Sequence, residues 1–418
     1  MKVLIIGLNY EPELMGVGKY SGEMARWLAA KAHNVHVITS FPHYPAWRVS
    51  APYVGCFYKI ESVAGVDLTR TWAWVPRKPS GLKRLLHAFS FALSSSFAVI
   101  RQTLKKPDVM LVVEPSLSCA PLALLMARLT KTQCWLHVQD LEVDAALKLD
   151  IFKSQLLARF ALSMERFLIR RFDVVSTITP EMMSNLQAKG VAADRLRYFP
   201  NWVNTDFIHP HAGLESEEYG RIRTEAGIAS EQTVCLYSGN FGEKQGLDTI
   251  LETARLLCAR KDIVFVLCGN GAVKSRLMES AAALSNIRWL DAQPLHALPA
   301  LLCIADVHLL PQRADASGLV FPSKLTGMFA SGRPVVAEAV PGSDLYALVE
   351  PRGAVVPPGA PDQFAEALLR LVDDVSLRNR LGALSRAYAV THMDARSVLT
   401  GFERDLQSLV RSVARPRD

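Results

Sequence analysis

The chain has 418 residues, half of them apolar, with 47 Lys and Arg against 40 Asp and Glu and a formal net charge of +7. That length exceeds what one core usually serves and predicts two domains of roughly 200 residues each. The cysteines stand singly with no CxxC pair and no Cys/His cluster at ligand spacing, which argues against a disulfide framework and a metal site and fits a reducing cytoplasm. The positive charge raises nucleic acid as a partner, but no helix-turn-helix, zinc-finger or RNP-like pattern accompanies it, and a lipid headgroup surface or a nucleotide diphosphate suits it better.

The first segment, KVLIIGL, reads as a buried strand, too short and too soon acidic for a secretory signal. After it Pro12, Gly16 and Gly18 form a glycine loop opening a helix near Gly18 to Lys31, with backbone N–H groups facing a strand's carboxyl end. It is not a GxGxxG, and no acidic residue follows at a dinucleotide spacing. Strand VHVIT comes next, and then an apolar helix, LLHAFSFALSSSFAVI. That helix is shorter than the ~20 apolar residues a membrane span needs. From Arg77 to Lys106 the segment carries Lys83, Arg84, Arg101, Lys105 and Lys106 among its cations and no acid. An apolar helix bracketed by cations suits the surface of an anionic inner leaflet, and equally a core helix with solvated ends.

Strand VMLVV, helix APLALLMARL, strand CWLHV, a helix from Phe152 to Arg171, strand VVSTI and a short helix after Pro180 complete a first round. Strands alternating with crossover helices predict a doubly wound parallel sheet. His137 ends strand CWLHV, with Asp140, Glu142 and Asp144 close behind. A histidine there can hydrogen-bond a sugar hydroxyl or a phosphoryl oxygen, or be a satisfied core residue.

FPNW breaks the rhythm, and a polar stretch to Glu231 leads into a second round with strands TVCLYSG, IVFVLCG, NIRWL, VHLLP and PVVAE. Its first strand runs into YSGNFGEKQGL, where Gly239, Asn240 and Gly242 make a tight turn, Lys244 supplies a charge and a helix follows. Helix dipole and ammonium then face one point, which is an anion site; the alternative is a plain connection with a solvated lysine. Gly269 and Gly271 give a second turn where backbone can approach a base or ribose. Ser317, Gly318, Ser323 and Lys324 precede a third helix and add a further anion-tolerant N-terminus. Three such turns in one domain predict a bound nucleotide. Past Pro361 the chain reads as helical to Val413.

As a set, NYEPELMGVGKYSGEMARWLA, LKRLLHAFSFALSSSF, LHVQDLEVDA, FPNW, YSGNFGEKQGL and FPSKLT resemble the retaining, metal-independent glycosyltransferases of family 4, in particular the fucosyltransferases of exopolysaccharide assembly. The resemblance covers nearly the whole chain and weakens after about Pro341. It implies the GT-B architecture: two Rossmann-like α/β domains facing across a cleft. Residues 1–203 would bind the acceptor, 204–390 the nucleoside-diphosphate sugar, and 391–418 would pack back on the first domain. It maps the family's glycine loop onto Gly16 and Gly18, its cleft histidine onto His137 and its diphosphate lysine onto Lys244. It further implies GDP-fucose as donor, a lipid-linked saccharide as acceptor and no cofactor, at the cytoplasmic face of the membrane.

Two departures stand out. Asn240 occupies a place where many members carry arginine, and Leu319 and Gly327 occupy the places of two glutamates spaced eight apart. The usual ribose carboxylate is absent, which leaves Ser323 and Lys324 to define a variant donor site. The mechanism the resemblance implies is a front-face transfer in which Lys244, the glycine-loop N–H groups and Lys324 stabilise the departing diphosphate. Asp140 or Glu142 as a general base or nucleophile is the alternative. A sugar-nucleotide epimerase of the same shape, or a non-catalytic membrane scaffold, is the competing class.

Overall fold

The computed structural model describes residues 1–13, 16–78, 80–141, 143–144, 147, 154–211, 214, 216–316 and 321–414. The chain forms two compact units, Met1–Pro200 with Leu399–Asp418, and Asn201–Val398.

The first unit is built on a sheet of eight strands: β1 (Lys2–Gly7), β2 (Asn34–Ser40), β3 (Tyr58–Val63), β4 (Val66–Thr71), β5 (Val109–Val113), β6 (Gln133–Val138), β7 (Val174–Thr177) and β8 (Leu196–Tyr198). Their order is β3-β4-β2-β1-β5-β6-β7-β8, all parallel except β3 against β4. The middle strands are covered on both faces, which is why they read as unbroken apolar runs: Val3 to Ile6 and Val109 to Val113 are buried throughout. The β3–β4 hairpin lies at the edge and turns through Ala64 and Gly65, both at positive φ. Helices Gly16–Ala30, Gly81–Thr103, Ala120–Thr130, Gln155–Ile169 and Pro180–Ala188 connect the strands. Within this unit Phe402, on the closing helix Ala395–Ala414, stacks on Phe199 at 4.2 Å and meets the edge of Trp135 at 5.3 Å.

The second unit holds six parallel strands: β9 (Thr233–Ser238), β10 (Ile263–Cys268), β11 (Ile287–Leu290), β12 (Val307–Leu310), β13 (Val335–Glu338) and β14 (Gly353–Val356). The order is β11-β10-β9-β12-β13-β14. Alternation along β9 feeds two cores. Cys235 and Tyr237 pack with Phe265, Leu267 and Phe364, while Val234 and Leu236 pack with Val264, Ile222 and Leu301.

The two sheets share one topology. From β1 the chain steps to β2 and β4 on one side and returns to β5 on the other; from β9 it steps to β10 and β11 and returns to β12. The order reverses between β1 and β5 and between β9 and β12, and ligands of such sheets bind at the carboxyl ends of the strands beside that reversal.

Candidate functional site

In the second unit the reversal lies beside the glycine turn. β9 ends at Ser238, Gly239 takes φ +142°, and Glu243–Gln245 form one 3-10 turn ahead of the helix Asp248–Leu256. Tyr237, fully buried, donates its hydroxyl to the carbonyl of Asn240 at 2.7 Å and so fixes the turn's height over the sheet. The turn after β10 is pressed against it. Gly239 N–H donates to Cys268 O at 3.0 Å and Phe241 N–H to Asn270 O at 2.9 Å. A Cβ on Gly269 would stand 1.9 Å from Gly239 O, and one on Gly271 2.4 Å from Phe241 O. Both glycines are thus required by loop-on-loop packing, a role the sequence reading did not give them.

Across the reversal, the segment after β12 joins the same turn: Arg313 N–H meets Lys244 O at 3.4 Å. Lys324 starts the helix Lys324–Ala330, and its ammonium donates to Gln245 Oε1 at 2.8 Å and sits 4.0 Å from the Tyr237 ring centroid. Burial pushes its amine down to about 7. Ser323 precedes that helix, its carbonyl accepting from Thr326 Oγ1. Lys244, half-buried, lies in the 3-10 turn itself. Behind these loops the carboxylate of Glu338, at the end of β13, accepts from Thr249 Oγ1 (2.9 Å), Gln312 N–H (3.1 Å) and Gly359 N–H (2.7 Å). One buried side chain therefore ties together the segments that follow β9, β12 and β14. Ser317, Gly318 and Leu319 lie outside the described residues.

In the first unit Gly16 and Gly18 fall inside the opening turn of the helix Gly16–Ala30. A Cβ on Gly18 would stand 2.8 Å from that of Glu13, whose buried carboxylate accepts from His43 N–H and Tyr44 N–H at 2.9 Å and from Asn9 Nδ2 at 2.9 Å. His43 in turn meets His87, their Nε2 atoms 3.1 Å apart, at the start of the long helix Gly81–Thr103. His137, buried at the end of β6, has Nδ1 2.9 Å from Ser176 Oγ and Nε2 2.9 Å from Gln139 Nε2, and Phe199 lies against its ring. Burial pushes its imidazole down to about 3, so it is neutral. Both ring nitrogens are occupied, so a ligand that hydrogen-bonds His137 must displace Ser176 or Gln139. Asp140 is half-exposed just beyond, with its charge felt at Tyr44; Glu142 lies outside the described residues.

The structure thus groups Gly239, Asn240, Gly242, Lys244, Gly269, Gly271, Ser323 and Lys324 at the carboxyl ends of one sheet, and Gly16, Gly18, His137 and Asp140 at those of the other. Lys83, Arg84, Arg101, Lys105 and Lys106 are all exposed. Sequence reasoning missed Gln245, Glu338 and the Glu13–His43–His87 cluster. FPH and LLH carry those histidines, but no spacing links them.

Comparison with known proteins places this geometry. Residues 15–202 match the glycosyl transferase 4-like domain and residues 219–387 match glycosyl transferases group 1. A protein of Escherichia coli (strain K12) described as a colanic acid biosynthesis glycosyl transferase, WcaI, is 39% identical over 97% of this chain and 100% of its own length. Among solved structures, the sucrose-phosphate synthase of Thermosynechococcus elongatus superposes with TM-score 0.74 at 16% identity, over 99% of this chain and 100% of that one. Anabaena Alr3699/HepE in complex with UDP gives 0.70 at 13% identity, over 98% and 100%. The paired Rossmann-like units, the two domain matches and the full-length relative agree: the chain belongs to the family 4 glycosyltransferases of GT-B architecture.

Proposed function

We propose that the protein moves a sugar from a nucleoside-diphosphate sugar, held by residues 204–390, to a lipid-linked saccharide held by residues 1–203, in the assembly of a colanic acid-like exopolysaccharide. The observation that carries this reading is the placing of Lys244 and Lys324 on the two loops that flank the β9/β12 reversal. Two cations and a run of backbone N–H groups at that point suit a diphosphate. Similarity to WcaI, a colanic acid biosynthesis glycosyl transferase, supports the pathway, and similarity to Anabaena Alr3699/HepE in complex with UDP supports the ligand class.

In this reading the reaction is retaining and metal-independent. The bond from the sugar's anomeric carbon to the diphosphate oxygen breaks, and the acceptor hydroxyl oxygen bonds to that carbon on the same face. Its proton passes to the departing phosphate. Lys244 and Lys324 stabilise the charge that develops on the diphosphate. His137, kept neutral, would donate to or accept from a sugar hydroxyl without competing for the phosphate's charge, and Asp140 is the alternative to the phosphate as acceptor of the hydroxyl's proton. The basic run from Arg77 to Lys106 would hold the enzyme peripherally on the anionic inner leaflet.

The donor we propose is GDP-fucose. A thermal-shift series with GDP, UDP, ADP and dTDP tests it: GDP should raise the melting temperature most, and GDP-fucose should be consumed only with a membrane-extracted acceptor present. Stronger stabilisation by UDP with turnover of a UDP-sugar would discard fucose and keep glycosyl transfer. No response to any nucleotide would discard the donor site.

A further inference from the structure

Three successive crossovers carry the chain from β4 to β5, β5 to β6 and β6 to β7, always in the same direction across the first sheet. Right-handed connections therefore put their helices, Gly81–Thr103, Ala120–Thr130 and Gln155–Ile169, on one face of it. Each turns large apolar side chains outward. On the first, Leu82, Leu86, Phe89, Leu93 and Phe97 are exposed at steps of three or four residues, Leu93 by 80%. On the second, Leu125 and Leu129 are exposed one turn apart. On the third, Leu156, Phe160, Met164 and Phe167 are exposed, Leu156 by 76%.

Those spacings give one outward apolar row per helix. Surfaces that stay in water carry such residues singly, and a contiguous set marks an interaction face. A groove of about 230 Å³ lined by Phe89, Leu93, Val99, Pro121 and Leu122 continues the apolar surface inward between the first two helices. The charge is one-sided. Lys83, Arg84, Arg101, Arg128, Arg159 and Arg166 are exposed along these helices, while the one carboxylate in them, Glu165, is buried against Lys189.

We infer that the three helices form a single interfacial face that sinks its apolar rows into the headgroup boundary of an anionic bilayer, with its arginines and lysines at the lipid phosphates. No helix among the described residues is long and apolar enough to cross a membrane, which fits a face that lies on the bilayer. A second copy of the chain is the other occupant to weigh. A two-fold contact would set cations of one sign against each other, and that favours lipid. The inference deepens the peripheral-membrane part of the proposed function, from adsorption by one basic segment to insertion by three helices. The Gln155–Ile169 helix is the new element.

The test is sedimentation of the full chain with vesicles of phosphatidylcholine alone or mixed with phosphatidylglycerol, at low salt and at about 0.5 M salt, where screening acts within about 4 Å. Insertion predicts binding to the anionic vesicles that survives in part at high salt. It also predicts at least a tenfold fall in partitioning for the triple variant Leu156→Ser, Phe160→Ser, Phe167→Ser, with the melting temperature of the free protein unchanged or raised. Should that variant fail to fold, Arg159→Glu with Arg166→Glu should lower anionic-vesicle binding in its place. Complete release of the wild type by salt, with the triple variant binding equally well, would overturn insertion and leave simple adsorption. Loss of a dimer in the triple variant, with vesicle binding unchanged, would make the face a protein interface and also overturn it. No donor or acceptor is present, so either outcome leaves the glycosyl-transfer reading where it stands.

Discussion

Lys324 Nζ lies 2.8 Å from Gln245 Oε1 and 4.0 Å from the centroid of the Tyr237 ring. A Cβ on Gly239 would stand 3.6 Å from the same ammonium, so the cation touches the turn that β9 runs into. Its neighbours there are a neutral amide oxygen and a π face, which stabilise the charge far less than a carboxylate would. Desolvation then dominates and pushes the amine down to about 7. A cation poised in this way has the most to gain from an arriving anion.

Nucleotide binding should accordingly take up a proton. A bound diphosphate raises the amine back toward its ordinary range, so affinity for a nucleoside diphosphate should fall as pH rises above about 7, by up to about tenfold per pH unit. Calorimetry at pH 8 in HEPES and in Tris should show binding enthalpies that differ by close to the difference between the two buffers' ionisation enthalpies, and Lys324→Met should remove that difference. The sign for stability follows too. The unfolded lysine binds its proton up to a higher pH than the folded one, so stability should rise with pH between roughly 7 and 10. Equal enthalpies for the wild type in both buffers would take Lys324 away from the anion.

Lys244 is the second cation, and its contribution should appear in the rate. Lys244→Ala is expected to lower turnover by about 10²-fold, since one preorganised charge on a developing oxyanion is worth roughly 3 kcal/mol. It is half-buried in a single 3-10 turn, so the melting temperature should hold. Donor turnover beside a melting curve checks both halves, and an unchanged rate would remove Lys244 from the site.

What could be read from the chain, and what could not, divides along burial and distance. The strands β1, β5, β6, β9 and β10 are buried on both faces, and their unbroken apolar runs announce them. The hairpin of β3 and β4 escaped because β3 is largely exposed, with Lys59, Glu61 and Ser62 along it; the Ala64–Gly65 turn was the one local signal. β8, three residues long, was too short to show a period, and β14 opens on a glycine and is only partly buried. At the site, Gly239, Gly242 and Lys244 were legible because strand, glycine turn and helix follow each other directly. Gln245 and Glu338 were not, since their partners lie 79 and up to 89 residues away in sequence. His137 was legible as a strand-end histidine, but its occupation by Ser176 and Gln139 depends on how β6 pairs with β7.

Glu338 should prove to be a brace felt at the nucleotide. Glu338→Gln keeps the shape but sets an amide against Thr249, Gln312 and Gly359, which all offer hydrogens to the present carboxylate. Losing charge-assisted bonds in a buried place should cost about 2 kcal/mol. Thermal unfolding should show this, together with weaker nucleoside-diphosphate binding, because the segments after β9 and β12 both hang on this residue. A variant with full stability and full affinity would show that the loops hold themselves.

The glycines offer the sharpest contrast between conformational and steric need. Gly16 has φ +59° and a Cβ placed on it would meet nothing within 4 Å, so Gly16→Ala should cost only the left-handed backbone penalty, about 1 kcal/mol. Gly269 has φ +145°, and there the new Cβ would stand 1.9 Å from Gly239 O and 2.9 Å from Phe241 Cε2. A backbone oxygen cannot swing aside as a side chain can. The turn after β10 must move off the turn after β9, and Gly269→Ala should cost about 3 kcal/mol or more. Denaturant melts of the two variants should show a small shift for the first and a large one for the second. The second should also lose nucleoside-diphosphate affinity, because the displaced partner is the turn after β9 that carries Lys244. Equal, small shifts for both would mean that the two turns are not packed as tightly as 1.9 Å requires.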